Sequence, residues 1–194
     1  MGLARADVPT LLRELDAVDA AVARELGALT PAQLNWKPDA SEWSVGQCID
    51  HLIVATTTYF PVLEAIRTGT KRSSVWERLP ILPSVFGKLL LRVLDPDKGR
   101  KVQAPPAMRP TQSAIEPAIL ERFAGTNRRL REFINATSSP EALRTRVTSP
   151  VARFVTYSLL DGYRIIVTHD RLHLQQARNV MRSTGFPKSS GGPQ

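Results

Sequence analysis

The stretch GYRIIVTHDRLHLQQARNV, residues 162–180, decides how this chain is read. Its apolar residues recur at steps of three and four, the spacing of one face of an α-helix. Gly162, Ile166, His169, His173, Gln176 and Val180 fall on one stripe, which faces inward because it carries apolar residues. The chain has three histidines, and two of them lie here, four positions apart. Residues at that spacing have Cβ atoms about 5–6 Å apart. Two imidazoles so placed can converge on one cation at about 2.0–2.1 Å per nitrogen.

The third histidine, His51, lies in another helical pattern, with Cys48, Leu52, Ala55 and Tyr59 around it on the inward face. Every histidine therefore sits on an apolar stripe, and a buried imidazole needs partners for both ring nitrogens. Sharing one divalent metal among His51, His169 and His173 meets that need. The competing reading is three core histidines satisfied by local side chains or water. The pair lacks the glutamate of the HExxH metalloprotease helix, since Asp170 follows His169.

Working outward, the last helix is expected over 156–185, closed by Gly185 with Pro187 beyond. A first helix is expected over 7–28, started by Asp7 and Pro9 and stopped by Gly27. One turn capped by Thr30, with Pro31 at its first position, follows it. Ser44 and Gln47 form a capping-box pattern ahead of a second helix that runs to Gly69, with a kink at Pro61. The third helix is expected over 113–136, on Ile115, Ile119, Leu120, Phe123, Leu130, Phe133 and Ile134, and a short turn at Ser139–Pro140 follows. Between helices two and three lies a long, proline-rich, irregular connection, residues 70–112. Short helices are expected within Leu79–Leu94 and an extended loop over 98–110. No strand set stands out. The pattern is an all-α, antiparallel four-helix bundle: a single domain over 1–187, with a disordered tail at 188–194.

At 42% hydrophobic and 23% charged, the 194 residues are an ordinary globular mix. No segment reads as a membrane span or a secretory signal, and one cysteine excludes an internal disulfide. Both point to the cytoplasm. The net charge of +8 raises the question of nucleic acid, but the basic residues are scattered among acids with no aromatic interleaving, so no nucleic-acid partner is expected.

The remaining polar and aromatic candidates have ordinary readings. Cys48, one turn before His51, reads as a small core residue rather than a thiolate ligand. Gln47 is explained by the cap. Gln176, one turn from His173, can reach a metal-bound water or a substrate. Asp50 and Asp170 are turned about 100° from the neighbouring histidine and read as surface charges. Trp36 and Trp43 read as an apolar plug at the bundle end, and Tyr59 and Tyr163 as core.

LNWKPDASEWSVGQCIDHL (34–52), the HxxxH helix with its following Gln, the GFP finish at 185–187 and the KVQAPPAMRP loop (101–110) together resemble the DinB/YfiT-like superfamily over residues 8–187. The resemblance implies a four-helix bundle with a divalent metal held by His51, His169 and His173. Zn or Ni is the first choice and Fe or Mn the alternative. It further implies a homodimer, and a small-molecule substrate rather than nucleic acid or membrane. Members of the superfamily include thiol-dependent S-transferases that use bacillithiol or mycothiol, isomerases and hydrolases. No inward carboxylate stands out as a general base. The expectation is therefore a metal-dependent S-transferase with a low-molecular-weight thiol as cosubstrate, or a related hydrolase. A metal-stabilised binding module without turnover is the alternative.

Overall fold

Local signals in the sequence set where each helix begins. The computed structural model describes residues 3–78, 110, 114–150 and 155–188. Past a short 3-10 turn at Leu3–Arg5, helix α1 (Val8–Leu26) starts where the Asp7 side chain accepts from the Thr10 amide. Helix α2 (Pro31–Asn35) carries a complete capping box between Thr30 and Gln33. Helix α3 (Val45–Thr57) is followed by α4 (Phe60–Arg67) and the short α5 (Val75–Arg78). Then come α6 (Ile119–Ala136), α7 (Pro140–Arg144), strands β1 (Arg146–Thr148) and β2 (Thr156–Ser158), and α8 (Leu159–Arg182). The helices expected within Leu79–Leu94, nearly all of the 98–110 loop and the tail past Lys188 lie outside the described residues.

Three boundaries differ from the sequence reading. The second long helix breaks at Thr58–Tyr59, because Pro61 has no N–H to give the carbonyl one turn back. At the break the Thr57 and Thr58 hydroxyls donate to the carbonyls of Ile53 and Ala55. The third long helix starts at Ile119 rather than 113, although Ile115 ahead of it is buried. The first residues assigned to the last helix form β2, paired antiparallel with β1 in the register Val147↔Tyr157. Three-residue strands lie below the length at which alternation can be read. The Tyr157 ring lies against Gly162, so the hairpin seats on the first turn of α8.

The four long elements, α1, α3–α4, α6 and α8, make a four-helix bundle in which α8 and α6 each pack on both α1 and α3. The first and second long helices in sequence are thus diagonal, not adjacent. Directions follow from the paired residues. Helix α3 runs antiparallel to α8, with His51 beside His169 and Tyr59 beside Tyr157. Helix α1 runs antiparallel to α6, with Asp19 at Asn127 and Asp16 at Arg131. Helices α1 and α8 run parallel, linked by Glu14–Arg171 and Glu25–Arg178. Helices α3 and α6 are parallel too, so the bundle has two antiparallel and two parallel contacts between neighbours. This order accounts for the long connection. Helix α4 ends at one end of the bundle and α6 begins at the other.

Among the described residues the core falls into two apolar clusters. One holds Leu11, Leu15, Tyr59, Leu63, Leu130, Tyr163 and Ile166. The other holds Val22, Leu26, Ile49, Leu52, Phe123, Leu174 and Val180. Each fully buried side chain of this size contributes about 1.5–3 kcal/mol. Among the described residues, no helix is long and apolar enough to cross a membrane.

Helix α3 lies close to Ile115 at Gly46, where an added Cβ would be 2.8 Å from Ile115 Cβ. Gly125 in α6 has open space at the same position. Gly46→Ala should therefore cost roughly 1–3 kcal/mol, whereas Gly125→Ala should add up to about 1 kcal/mol through helix propensity. Urea denaturation of the two variants against wild type checks the opposite signs.

Candidate metal centre

The register of α3 is set at its first turn. Ser44 Oγ accepts from the Gln47 amide at 3.2 Å, and Gln47 Oε1 accepts from the Ser44 amide at 3.2 Å. That start at Val45 turns His51 into the bundle with Cys48, Leu52 and Ala55, all buried. Helix α8 starts in the same way, with Ser158 Oγ accepting from the Asp161 amide at 3.1 Å. His169 and His173 then lie one turn apart, opposite His51.

The structure brings the three sequence-predicted histidines together. His169 Nε2 lies 3.1 Å from His51 Nε2 and 3.1 Å from His173 Nε2. The three ligand atoms all lie within 4.8 Å of one another. The rings meet edge to face, at interplanar angles of 66° to 80°. Nitrogens bonded to one ion at 2.0–2.1 Å and spread by 90–110° would be roughly 2.9–3.4 Å apart, so the spacing fits. His51 and His173 are buried and His169 is half-buried.

Hydrogen bonds among the three rings alone do not satisfy this arrangement. Each ring nitrogen has one in-plane position, a lone pair or an N–H. Gln176 Oε1 sits 2.8 Å from His173 Nδ1. Nδ1 therefore carries the proton, and Nε2 turns its lone pair to the cluster. His169 Nε2 faces two ring nitrogens and can bond to only one of them. Hydrogen bonds from ring to ring can thus pair at most two of the three facing nitrogens, whereas a cation meets three lone pairs at once. Burial also keeps the two rings of α8 neutral. It holds His169 well below its ordinary value, with the charges of His173 and His51 adding to the effect. Burial, then His51, lowers His173 to about 3.

The other candidates divide. Cys48 is core: it is fully buried among apolar residues, its thiol is pushed up to about 12 by burial, and it stands outside the histidine cluster. Gln47 serves the cap, and Gln176 orients His173. Tyr59 and Tyr163 lie in the far apolar cluster, bonded to Tyr157 and Thr137 at 2.7 and 2.6 Å. Trp36 packs edge-on against Phe186 as a plug. Trp43 does more, since its ring lies against both His51 and His173.

Asp50 and Asp170 are not surface charges. Their exposures are 1% and 0%. The middle of α8 is covered by α1 on one side and α3 on another, so a residue 100° off the histidine stripe is still inside. Among the described residues Asp170 has no hydrogen-bond partner. Burial, then the charge of Asp19, raises its carboxyl well above the ordinary carboxylate range. The open groove between α4 and α6, lined by Phe60, Glu64, Arg122 and Arg129, holds none of the histidines.

The sequence profile of the DinB superfamily matches residues 14–177. Among solved structures, the chain is similar to YfiT from Bacillus subtilis, described as "a probable metal-dependent hydrolase with an unusual four-helix bundle topology". The two share 14% identity over 93% of this chain and 89% of that one, with a TM-score of 0.61. Among curated proteins none matches.

The depressed histidines carry a pH signature in the metal-free protein. Below the ordinary histidine value near 6.5 the unfolded chain binds protons that the folded chain refuses, down to about 3 for His173. Stability from this source is present in full above 6.5 and falls as pH drops through that window. Asp170, shifted upward, acts in the opposite sense, so the informative measurement is a difference between two proteins that both retain it. Chelator-treated wild type should lose about 2 kcal/mol more than His173→Gln between pH 6.5 and 5. Equal losses by denaturant titration would contradict a neutral buried imidazole.

Proposed function

This chain belongs to the DinB superfamily, and from that premise we propose that it is a divalent-metal-dependent enzyme acting on a small molecule, a hydrolase or a thiol-dependent S-transferase, with His51, His169 and His173 as the metal ligands. The observation that carries the reading is His169 Nε2 at 3.1 Å from two other ring nitrogens, with all three ligand atoms within 4.8 Å of one another. An all-imidazole donor set suits Zn or Ni, and also Fe, with Mn a weaker match. Three protein ligands leave coordination positions open, as catalytic sites do and closed structural sites do not. When bound, the ion would supply Lewis acidity, lowering the pKa of a bound water or thiol or polarising a substrate oxygen.

The protein's own residues supply orientation and burial. Gln176 fixes the His173 ring and its tautomer. The two apolar clusters hold α3 against α8 and keep water from His51 and His173. Among the described residues no carboxylate joins the cluster, and Asp170 lies with Asp19 toward α1. A thiol cosubstrate, which needs only to be deprotonated, fits that absence. The description of YfiT favours the hydrolase arm. A single buried cysteine suits a reducing, cytoplasmic setting, and the proposed assembly is a homodimer.

Elemental analysis after purification without a metal-affinity tag should find about one equivalent of divalent metal in wild type and in Asp170→Asn, and far less in His51→Ala. Equal metal in all three would sink the ligand assignment. Turnover of activated esters without added thiol selects the hydrolase arm, and turnover of an electrophile only with added thiol selects the transferase arm. A metal-loaded protein inactive in both would be the binding module.

A further inference from the structure

The indole of Trp43 touches the histidine cluster from outside the two helices that build it. It stacks on His173 with ring centroids 5.7 Å apart and planes at 25°. It also leans on His51 at 4.8 Å and 52°. One side chain thus braces imidazoles that come from α3 and from α8. Trp43 directly precedes Ser44, whose capping box fixes the first turn of α3. Its backbone is therefore anchored to the element that carries His51, while its ring reaches across to α8.

An imidazole turns about a broad, two-fold torsion, so its plane is set by what surrounds it rather than by its own rotamer. Gln176 sets the plane of His173 from the Nδ1 side. Trp43 sets it from the face, and sets the plane of His51 relative to it. A flat, polarisable ring with a negative face also suits imidazoles that share a cation's charge.

The geometry points to Trp43 as a positioning residue of the histidine centre: it locks the ring planes of His51 and His173 so that their Nε2 atoms stay aimed at a common point with His169. This rests on the metal-centre reading above. It assigns Trp43 no contact with substrate.

The test is Co(II) titration of the chelator-treated full chain, read by visible absorption and by tryptophan emission. Trp43→Ala should bind Co(II) at least about tenfold more weakly, the range seen when an outer-shell partner of a metal ligand is removed. Its absorption bands should also be altered, because the donor angles relax. Trp43→Phe, which keeps a flat ring, should recover affinity to within about threefold. In a Trp36→Phe/Trp76→Phe background Trp43 is the one remaining indole. Its emission should there be quenched in step with binding. Should Trp43→Ala fail to fold by circular dichroism, Trp43→Leu takes its place. Wild-type affinity and wild-type bands in the Ala or Leu variant overturn the positioning role while leaving the metal centre intact. Absence of Co(II) uptake by wild type overturns the metal centre, and this role with it.

Discussion

Everything distinctive in this molecule depends on the antiparallel packing of α3 on α8. Two apolar stripes drive that contact, and the histidines ride on them. In a simple up-and-down bundle the second and fourth helices are diagonal partners. Here the ring order runs α1, α8, α3, α6, so those two become neighbours along their length. Imidazole nitrogens from both helices can then reach 3.1 Å without distorting either helix. The consequence for the chain is that α4 ends, and α6 begins, at opposite ends of the bundle.

The histidines do not stand alone at mid-bundle. They lie where one apolar cluster ends and the other starts, and so do Asp19, Asn127 and Asp170. The core is thus two oily halves joined by a polar layer that crosses the bundle. On the α3–α8 side the layer consists of imidazoles. On the α1–α6 side it consists of carboxyls and an amide, with the Arg131 guanidinium reaching in from the rim. Burying such groups is costly unless they find partners, and the halves on either side offset that cost by burying large apolar side chains. The layer can bond in one vertical register only, so it also limits sliding of the helices against one another.

Much of this was legible in the sequence because it rests on short-range chemistry. The caps at Asp7, Thr30, Ser44 and Ser139 read directly, since each is a side chain bonding an amide two or three residues on. The inward stripe of α8, with both its histidines, read from periodicity alone. What failed to read depends on neighbours. Periodicity assumes one buried face, and the middle of α8 has more than one, which hid Asp170. Strands of three residues leave no alternation to detect. Ring order and helix direction are long-range facts that no local pattern encodes. Trp43 carried one faint signal, lying eight residues, about two helical turns, ahead of His51.

Helix α1 contributes no ligand, and its role is visible in its charges. Glu14 and Glu25 face Arg171 and Arg178 of α8, while Asp16 and Asp19 face Arg131 of α6. Arg178 grips Glu25 through two bonds, at 2.6 and 2.8 Å, and that grip holds the Glu25 carboxyl down to about 2. The guanidinium's flat fork makes such paired bonds possible where an ammonium would not. Exposed pairs of this kind stabilise little individually, but they act with a common geometry. They bind α1 to both helices of the diagonal pair α6 and α8, and so fix the separation into which α3 must fit. The arginine-rich composition is in this part of the molecule an internal device. It clamps three helices from the side away from the histidines and leaves the fourth to close the cluster.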